Sequence, residues 1–220
     1  MRNPAATVSG AVMGAHGRCI AGVAGIARMR APILALLVAA ASSVPVVDPE
    51  ALRAEPVAEH ERVPVDLRRT TLVVGDIERS LEFYRNALGM EVIYDNLITT
   101  PRGVDPDEAE RALRLVLLRA NDNYVGVLGL LQYFKPVKET LALAGTAFME
   151  GTVVLVFNLE DLNGSFERAT AVPGVVVLDE PAPVSYPSYD GEGTIEVLVS
   201  SLQDPDGFTV ELNQLQEPLH

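Results

Sequence analysis

Cysteine is nearly missing from this 220-residue chain: the single one is Cys19. Downstream of it there is no intramolecular disulfide, no thiol nucleophile and no cysteine metal site. Histidine is almost as scarce, with His16, His60 and His220 all lying outside any predicted strand. Positive charge is also short. Seventeen Lys and Arg stand against thirty Asp and Glu, for a net charge of −13. A phosphate backbone needs a basic stripe, and none is visible, which argues against a nucleic-acid partner. No apolar run approaches the roughly 20 residues of a spanning helix, so no stable membrane span is expected in the mature chain.

The charge that is present is uneven. Residues 1–41 hold Arg2, Arg18, Arg28 and Arg30 and no acid. Arg28 and Arg30 precede the apolar run Ala31 to Ala41, and small residues follow through Ser42-Ser43. A short basic region, about ten apolar residues and a small-residue site describe a secretory signal. Residues 1–43 are therefore read as a leader, with the signal-like segment at 29–43. The expected location is periplasmic or secreted. Residues 44–64, rich in Pro, Glu and Ala, read as a linker.

Order is expected from Val65. Asp66 to Val74 has strand composition and Gly75 breaks it. Asp76 suits an N-cap, since its carboxylate can accept from free amides of the next turn. Ile77, Leu81, Tyr84 and Leu88 recur at helical spacing, and Gly89 fits a left-handed C-terminal cap. Strands are predicted at Met90–Tyr94, Leu113–Leu118 and Tyr124–Leu131. The stretch 96–110 is read as a polar loop, whose acids (Asp105, Asp107, Glu108, Glu110) lack the Gly and alternation of a calcium loop. The order then repeats. A strand at Thr152–Phe157 leads to a helix candidate at Asp161–Ala171, and then to strands at Val175–Leu178, Thr194–Ser200 and Phe208–Leu212. The last two are joined by the turn signature Asp204-Pro205-Asp206-Gly207. Residues 181–193 are read as a long loop in which Tyr186 and Tyr189 could cover a ligand. Self-similarity at this scale suggests a duplicated βαβββ module, about 65–134 and 150–215, within a domain at 65–215. The fold class is α+β.

The run Leu72 to Met90, with Asp204 to Leu212 much later, resembles the opening and closing motifs of the vicinal-oxygen-chelate superfamily. That superfamily groups glyoxalase, bleomycin-resistance and extradiol-dioxygenase proteins. The resemblance covers roughly residues 65–215. It implies curved mixed sheets around a cavity, in which four side chains hold a divalent ion that polarises an oxygen substrate. It also implies modules paired within or between chains, which admits a homodimer. The four positions fall on Arg69, near Gly129, Thr152 and Glu211, and only Glu211 is a ligand-type residue. A guanidinium cannot ligate a metal, so no metal or other cofactor is expected.

The cavity candidates are Arg69, Thr71, Thr152, Thr209, Glu211 and Asn213, which share strand parity or the family positions. Arg69 could pair with Glu211, or grip a carboxylate in forked geometry. Glu211 as a base with Arg69 as an oxyanion partner is the catalytic version. Tyr133 and Phe134 could stack on a flat ligand. Three function classes stay open: a metal-free protein binding a small organic molecule, a glyoxalase-type lyase, isomerase or dioxygenase, and an assembly role in which the fold serves only as a dimerisation platform. The second requires a divalent metal at a non-standard site, such as Glu211 with Gln132 and Glu150.

Overall fold

The computed structural model describes residues 57–139, 142–143, 145–189 and 191–218. The described residues belong to the unit Pro45–His220 of a chain that divides after Val44. The first unit, with the signal-like segment, lies outside the described residues. Among the described residues, no helix is long and apolar enough to cross a membrane.

The first module runs β1 (Arg69–Val73), α1 (Ile77–Leu81), β2 (Glu91–Thr100), β3 (Arg111–Arg119) and β4 (Val127–Lys135). The second repeats it with β5 (Val154–Asn158), α2 (Leu162–Thr170), β6 (Val176–Pro187), β7 (Thr194–Gln203) and β8 (Thr209–Leu215). Each makes a four-stranded mixed sheet, ordered β1-β4-β3-β2 and β5-β8-β7-β6. The first and last strands of each module pair in parallel and the other neighbours antiparallel. The sheets do not close into a barrel.

Local chemistry explains the helices. Asp76 accepts from the amides of Glu78 and Arg79 at 3.0 and 3.3 Å, and Asp161 accepts from that of Gly164 at 3.0 Å. Each carboxylate satisfies donors that a helix start leaves free. After Leu81 the first helix widens into a π-helical turn, Glu82–Ala87. Gly89, at φ 85°, turns the chain into β2 at a conformation that side chains disfavour.

Both helices cover the same side of the sheets. Leu72, Leu118, Leu128 and Leu130 from one module share a single buried cluster with Leu202, Val210 and Leu212 from the other. Phe83 and Tyr84, from the π-helical turn, sit fully buried within it, their rings edge to face at 4.9 Å. Strand side chains alternate, so the opposite parity defines a helix-free face.

Several boundaries differ from expectation. β2 continues to Thr100 through residues read as loop, paired to Arg111–Leu115 of β3. β6 likewise runs to Pro187, through Pro181 and Pro183. Both are edge strands, where proline and polar residues are tolerated because one side of the backbone needs no partner. Tyr186 therefore lies on β6 opposite Ile195, not in a lid loop, and Tyr189 is 95% exposed. β5 starts two residues later than expected, at Val154.

Candidate functional site

A pair of glutamines fixes how the modules correspond. The Ile77 amide donates to Gln132 Oε1 at 3.0 Å, and the Leu162 amide donates to Gln214 Oε1 at 2.9 Å. The last strand of each module thus holds the first turn of its own helix. Taking Asp76 with Asp161 and Gln132 with Gln214, Arg69 corresponds to Val154 and Gly129 to Glu211. The pairing agrees: Thr71 lies opposite Gly129 as Val156 lies opposite Glu211. Thr152 is therefore not the counterpart of Arg69. It precedes β5, and its hydroxyl donates to Thr146 O at 3.1 Å while accepting from the Met149 amide at 3.0 Å. The expectation that placed Thr152 at the family position followed Gly151. The strand instead takes its register from Asp161.

Arg69, Thr71 and Val73 share the helix-free side of β1, beside Gly129 and Leu131 of β4. Val154, Val156 and Asn158 share the matching side of β5, beside Thr209, Glu211 and Asn213 of β8. Gly129 is required by its neighbours. A Cβ there would meet Thr71 Oγ1 at 2.9 Å, Thr71 Cγ2 at 3.3 Å and Arg69 Cδ at 3.4 Å. The stem of Arg69 and the hydroxyl of Thr71 therefore occupy the space that a larger residue at 129 would claim.

Arg69 and Glu211 are both half-buried, and among the described residues neither side chain makes a hydrogen bond or ion pair. They are not joined to each other. Asn213 Oδ1 is shielded from solvent and meets no donor among the described residues. Around them Val73 and Val156 are 51% and 58% exposed. Exposed apolar residues grouped on one face mark a contact surface more often than scattered ones do.

The other three candidates line two adjoining clefts. Thr71 lines one of about 350 Å³ with Val73, Lys138, Leu143, Asp206 and Phe208. Thr152 and Thr209 line another of about 390 Å³ with Leu143, Met149, Val153 and Phe208. Gln203, which sequence reasoning missed, ties the segment between the modules to these clefts. Its amide nitrogen donates to Leu143 O and Gly207 O, both at 3.1 Å, and its oxygen accepts from the Gly145 amide at 3.0 Å. An alternating-strand pattern marks Gln203 as helix-free, but nothing in the sequence names its partners. Tyr133 lies beneath Lys138, with the ammonium 5.0 Å from the ring centroid, and Phe134 is exposed.

The turn joining β7 and β8 does different work. Asp206 Oδ1 accepts from the Gly75 amide at 2.8 Å and from Arg79 at 3.3 Å, and Ser80 Oγ donates to Oδ2 at 3.0 Å. Asp204 is buried. It accepts from the Tyr84 hydroxyl at 2.7 Å and from the amides of Phe208 and Asp206 at 2.8 and 2.9 Å. Burial pushes its carboxyl up to about 6, against the opposing pull of Tyr84. The Tyr84 hydroxyl is raised as well, first by burial and then by the Asp204 charge. This turn is a latch between modules.

A family metal does not fit the residues at its four positions. Arg69 offers only donors, Gly129 and Val154 offer no side-chain ligand, and Glu211 is the lone carboxylate. Gln132 cannot complete a different set. It spends both ends of its amide at the start of α1, Nε2 donating to Gly75 O at 2.9 Å. Glu150 lines the Thr152 cleft. Among the described residues no three His, Cys, Asp or Glu gather in a metal-holding group.

The fold matches known structures. A glyoxalase family protein from Bacillus cereus superposes with a TM-score of 0.53 at 12% identity, covering 72% of this chain and 99% of that one. A point variant of glyoxalase I from Zea mays is 24% identical, with a TM-score of 0.46, over 67% of this chain and 46% of that one. The fosfomycin resistance protein of Listeria monocytogenes, solved with Mn(II) and sulfate, is 15% identical, with a TM-score of 0.42, over 70% and 93%. At such identities the likeness shows the fold alone. No curated protein matches the chain. Residues 66–212 match the sequence model of the Glyoxalase/Bleomycin resistance protein/Dioxygenase superfamily, and the chain belongs to that family.

Proposed function

We propose that this chain is an exported protein that binds a small organic ligand on its helix-free sheet face without a metal, and that Arg69 is the anchor. One observation carries the reading. Arg69 presents a forked cation, half-buried and with no side-chain partner among the described residues, its stem packed where Gly129 leaves room. A structural arginine is normally paired, because withdrawing a charge from water without compensation is costly. A planar guanidinium with free donors suits a carboxylate or phenolate oxygen. Thr71 adds a hydroxyl beside it. The exposed valines supply an apolar floor of the kind that ligand sites use.

The test is a panel of small aromatic carboxylates, screened by ligand-observed NMR against the full-length protein and its R69A variant. Carboxylate binding that disappears in R69A supports the reading. Unchanged affinity in R69A sinks it. Elemental analysis of the purified protein is the second arm. Stoichiometric nickel, zinc, iron or manganese would replace this reading with a metal-dependent lyase, isomerase or dioxygenase. Export rests on the basic-apolar segment at 29–43. N-terminal sequencing of the protein recovered from a periplasmic fraction tests it, and an intact leader there overturns it.

A further inference from the structure

β2 is apolar enough for a core, yet it lies in the open. Ile93, Tyr94, Leu97 and Ile98 are all exposed, Leu97 by half. The strand is the outer edge of its sheet, so one side of its backbone has no strand beside it among the described residues. We propose that β2 pairs antiparallel with β2 of a second copy of this chain, with Asn96 on the two-fold axis. Two four-stranded sheets then become one of eight. The proposal is independent of the ligand reading above.

The outer strands of the two sheets differ in how they meet solvent. β6 carries Pro181, Pro183 and Pro187, with Asp179 and Glu180. Proline and charge are the devices by which an edge strand refuses a partner. β2 has no proline, lysine or arginine, and its bulge lies near its start, between Val92 and Tyr94. Both of its acids turn back into their own sheet. Asp95 accepts from Arg114 at 2.7 and 2.8 Å, and Glu91 pairs with Arg119. A groove of about 660 Å³ opens along the strand, lined by Tyr94, Asn96, Leu97, Ile98, Arg102 and Val104.

Symmetry restricts the register. Two antiparallel copies of one strand meet about a two-fold axis, so one residue lies opposite itself. Asp95 there would set two carboxylates face to face, which repel. Leu97 there would set Tyr94 opposite Thr100 and Ile98 opposite Asn96. Asn96 there sets Tyr94 opposite Ile98 of the other copy, twice, and aromatic with β-branched pairs stabilise a sheet. Tyr94, Asn96 and Ile98 lie opposite Leu117, Leu115 and Leu113 of β3, which lie opposite Gly129, Leu131 and Tyr133 of β4. All of them share the helix-free face, so the pairing continues one apolar surface across the seam. Antiparallel pairing also brings the Arg102 end of each strand to the Glu91 end of the other. Arg102 makes no ion pair among the described residues, so the charges complement each other at both ends.

Sedimentation velocity of the full-length protein, from about 1 μM to about 1 mM, tests association over the range of small interfaces. A monomer–dimer equilibrium is expected. A monomer throughout overturns the proposal and leaves the edge to a strand of another protein. N96K sets two lysines against each other on the axis, and I98E sets a carboxylate against Tyr94. Each should weaken association at least about tenfold. V177E, on the guarded strand β6, should not. Thermal unfolding checks that each variant is folded. Dimers that N96K and I98E leave unchanged, or that V177E weakens equally, overturn the proposal. Hydrogen exchange then identifies the strand. Protection of β2 amides should rise with protein concentration while that of β6 amides stays constant, and a dimer without this rise is a different one. N96C in a C19S background reads the register. Its disulfide-linked dimer should form at least about tenfold faster than that of L97C, whose thiols would sit on a cross-strand diagonal of about 7–8 Å. The reverse order removes Asn96 from the axis.

Discussion

Tyr84, on the π-helical turn of the first module, donates its hydroxyl to Asp204, at the end of β7 in the second, at 2.7 Å. Both side chains are fully enclosed, 120 residues apart in sequence. The bond crosses between modules inside the shared core, so it joins the two halves where water cannot substitute for either partner.

That placement sets a pH dependence. Asp204 holds its proton up to about pH 6 in the folded chain, against 3.8 as its ordinary value. A raised folded pKa means that its contribution to stability is full below about pH 4 and is lost as pH rises through about 6. The size is about 3 kcal/mol, from roughly two pH units at about 1.4 kcal/mol each. D204N cannot ionise. The difference in unfolding free energy between wild type and D204N, followed in urea from pH 4 to 7, should therefore move against the wild type by that order. A difference independent of pH would show that Asp204 is not the titrating group.

Y84F tests the same bond from the other side. It leaves a buried carboxylate oxygen without its donor, which costs about 1–3 kcal/mol. The Tyr84 hydrogen bond holds the Asp204 carboxyl down. Its loss should shift the Asp204 titration upward, visible in the carboxyl carbon shift by NMR.

Asp206 is the second half of the latch. Its side chain is 9% exposed and receives the Gly75 amide, Ser80 and Arg79. D206A removes all three contacts, though water can reach the exposed Gly75 amide, for a loss of about 1–3 kcal/mol. D206N keeps an oxygen for Gly75 and should recover part of it. Chemical denaturation of the two variants gives both numbers.

The latch also shows where sequence reading stops. Asp204-Pro205-Asp206-Gly207 is legible as a turn because proline and glycine impose local geometry. The partners of Asp206 lie 126 to 131 residues away, and no local pattern encodes them. The strands buried on one face were legible from alternation. The outer halves of β2 and β6 were not, since an edge strand needs neither an apolar run nor the absence of proline. At the site, Arg69, Gly129 and Glu211 could be placed by counting from a cap or a turn. Thr152 could not, because β5 is anchored from Asp161 at its far end and the glycine before Thr152 carries no register. Gln132 and Gln214 read as ordinary strand residues, yet they hold both helix starts.

Gly129 gives a direct test of how the helix-free face is filled. A Cβ there lies 2.9 Å from Thr71 Oγ1, too close to stand. Thr71 is β-branched and has few rotamers to escape into, so G129A should cost about 1–3 kcal/mol. T71A removes both Thr71 atoms that a Cβ at 129 would strike. In the T71A background the G129A penalty should therefore largely vanish. A double-mutant cycle with a coupling energy near zero would mean that the strain lies in the backbone of β4 instead.

The sharpest contrast is between residues that hold the fold and residues that face the proposed ligand. Gln132 accepts from the first amide of α1 and Gln214 from that of α2. Removing either leaves the first helical amide without its acceptor while Asp76 or Asp161 still caps the next turn, so Q132A and Q214A should each lose about 1–2 kcal/mol. Arg69 and Glu211 have no partners among the described residues to lose. R69Q and E211Q should therefore stay within about 0.5 kcal/mol of wild type, as substitutions without a structural mechanism do. Four denaturation curves decide the matter. A loss of more than about 2 kcal/mol in R69Q would place Arg69 among the groups that hold the sheet together, as for a broken buried pair, and leave the helix-free face without its anchor.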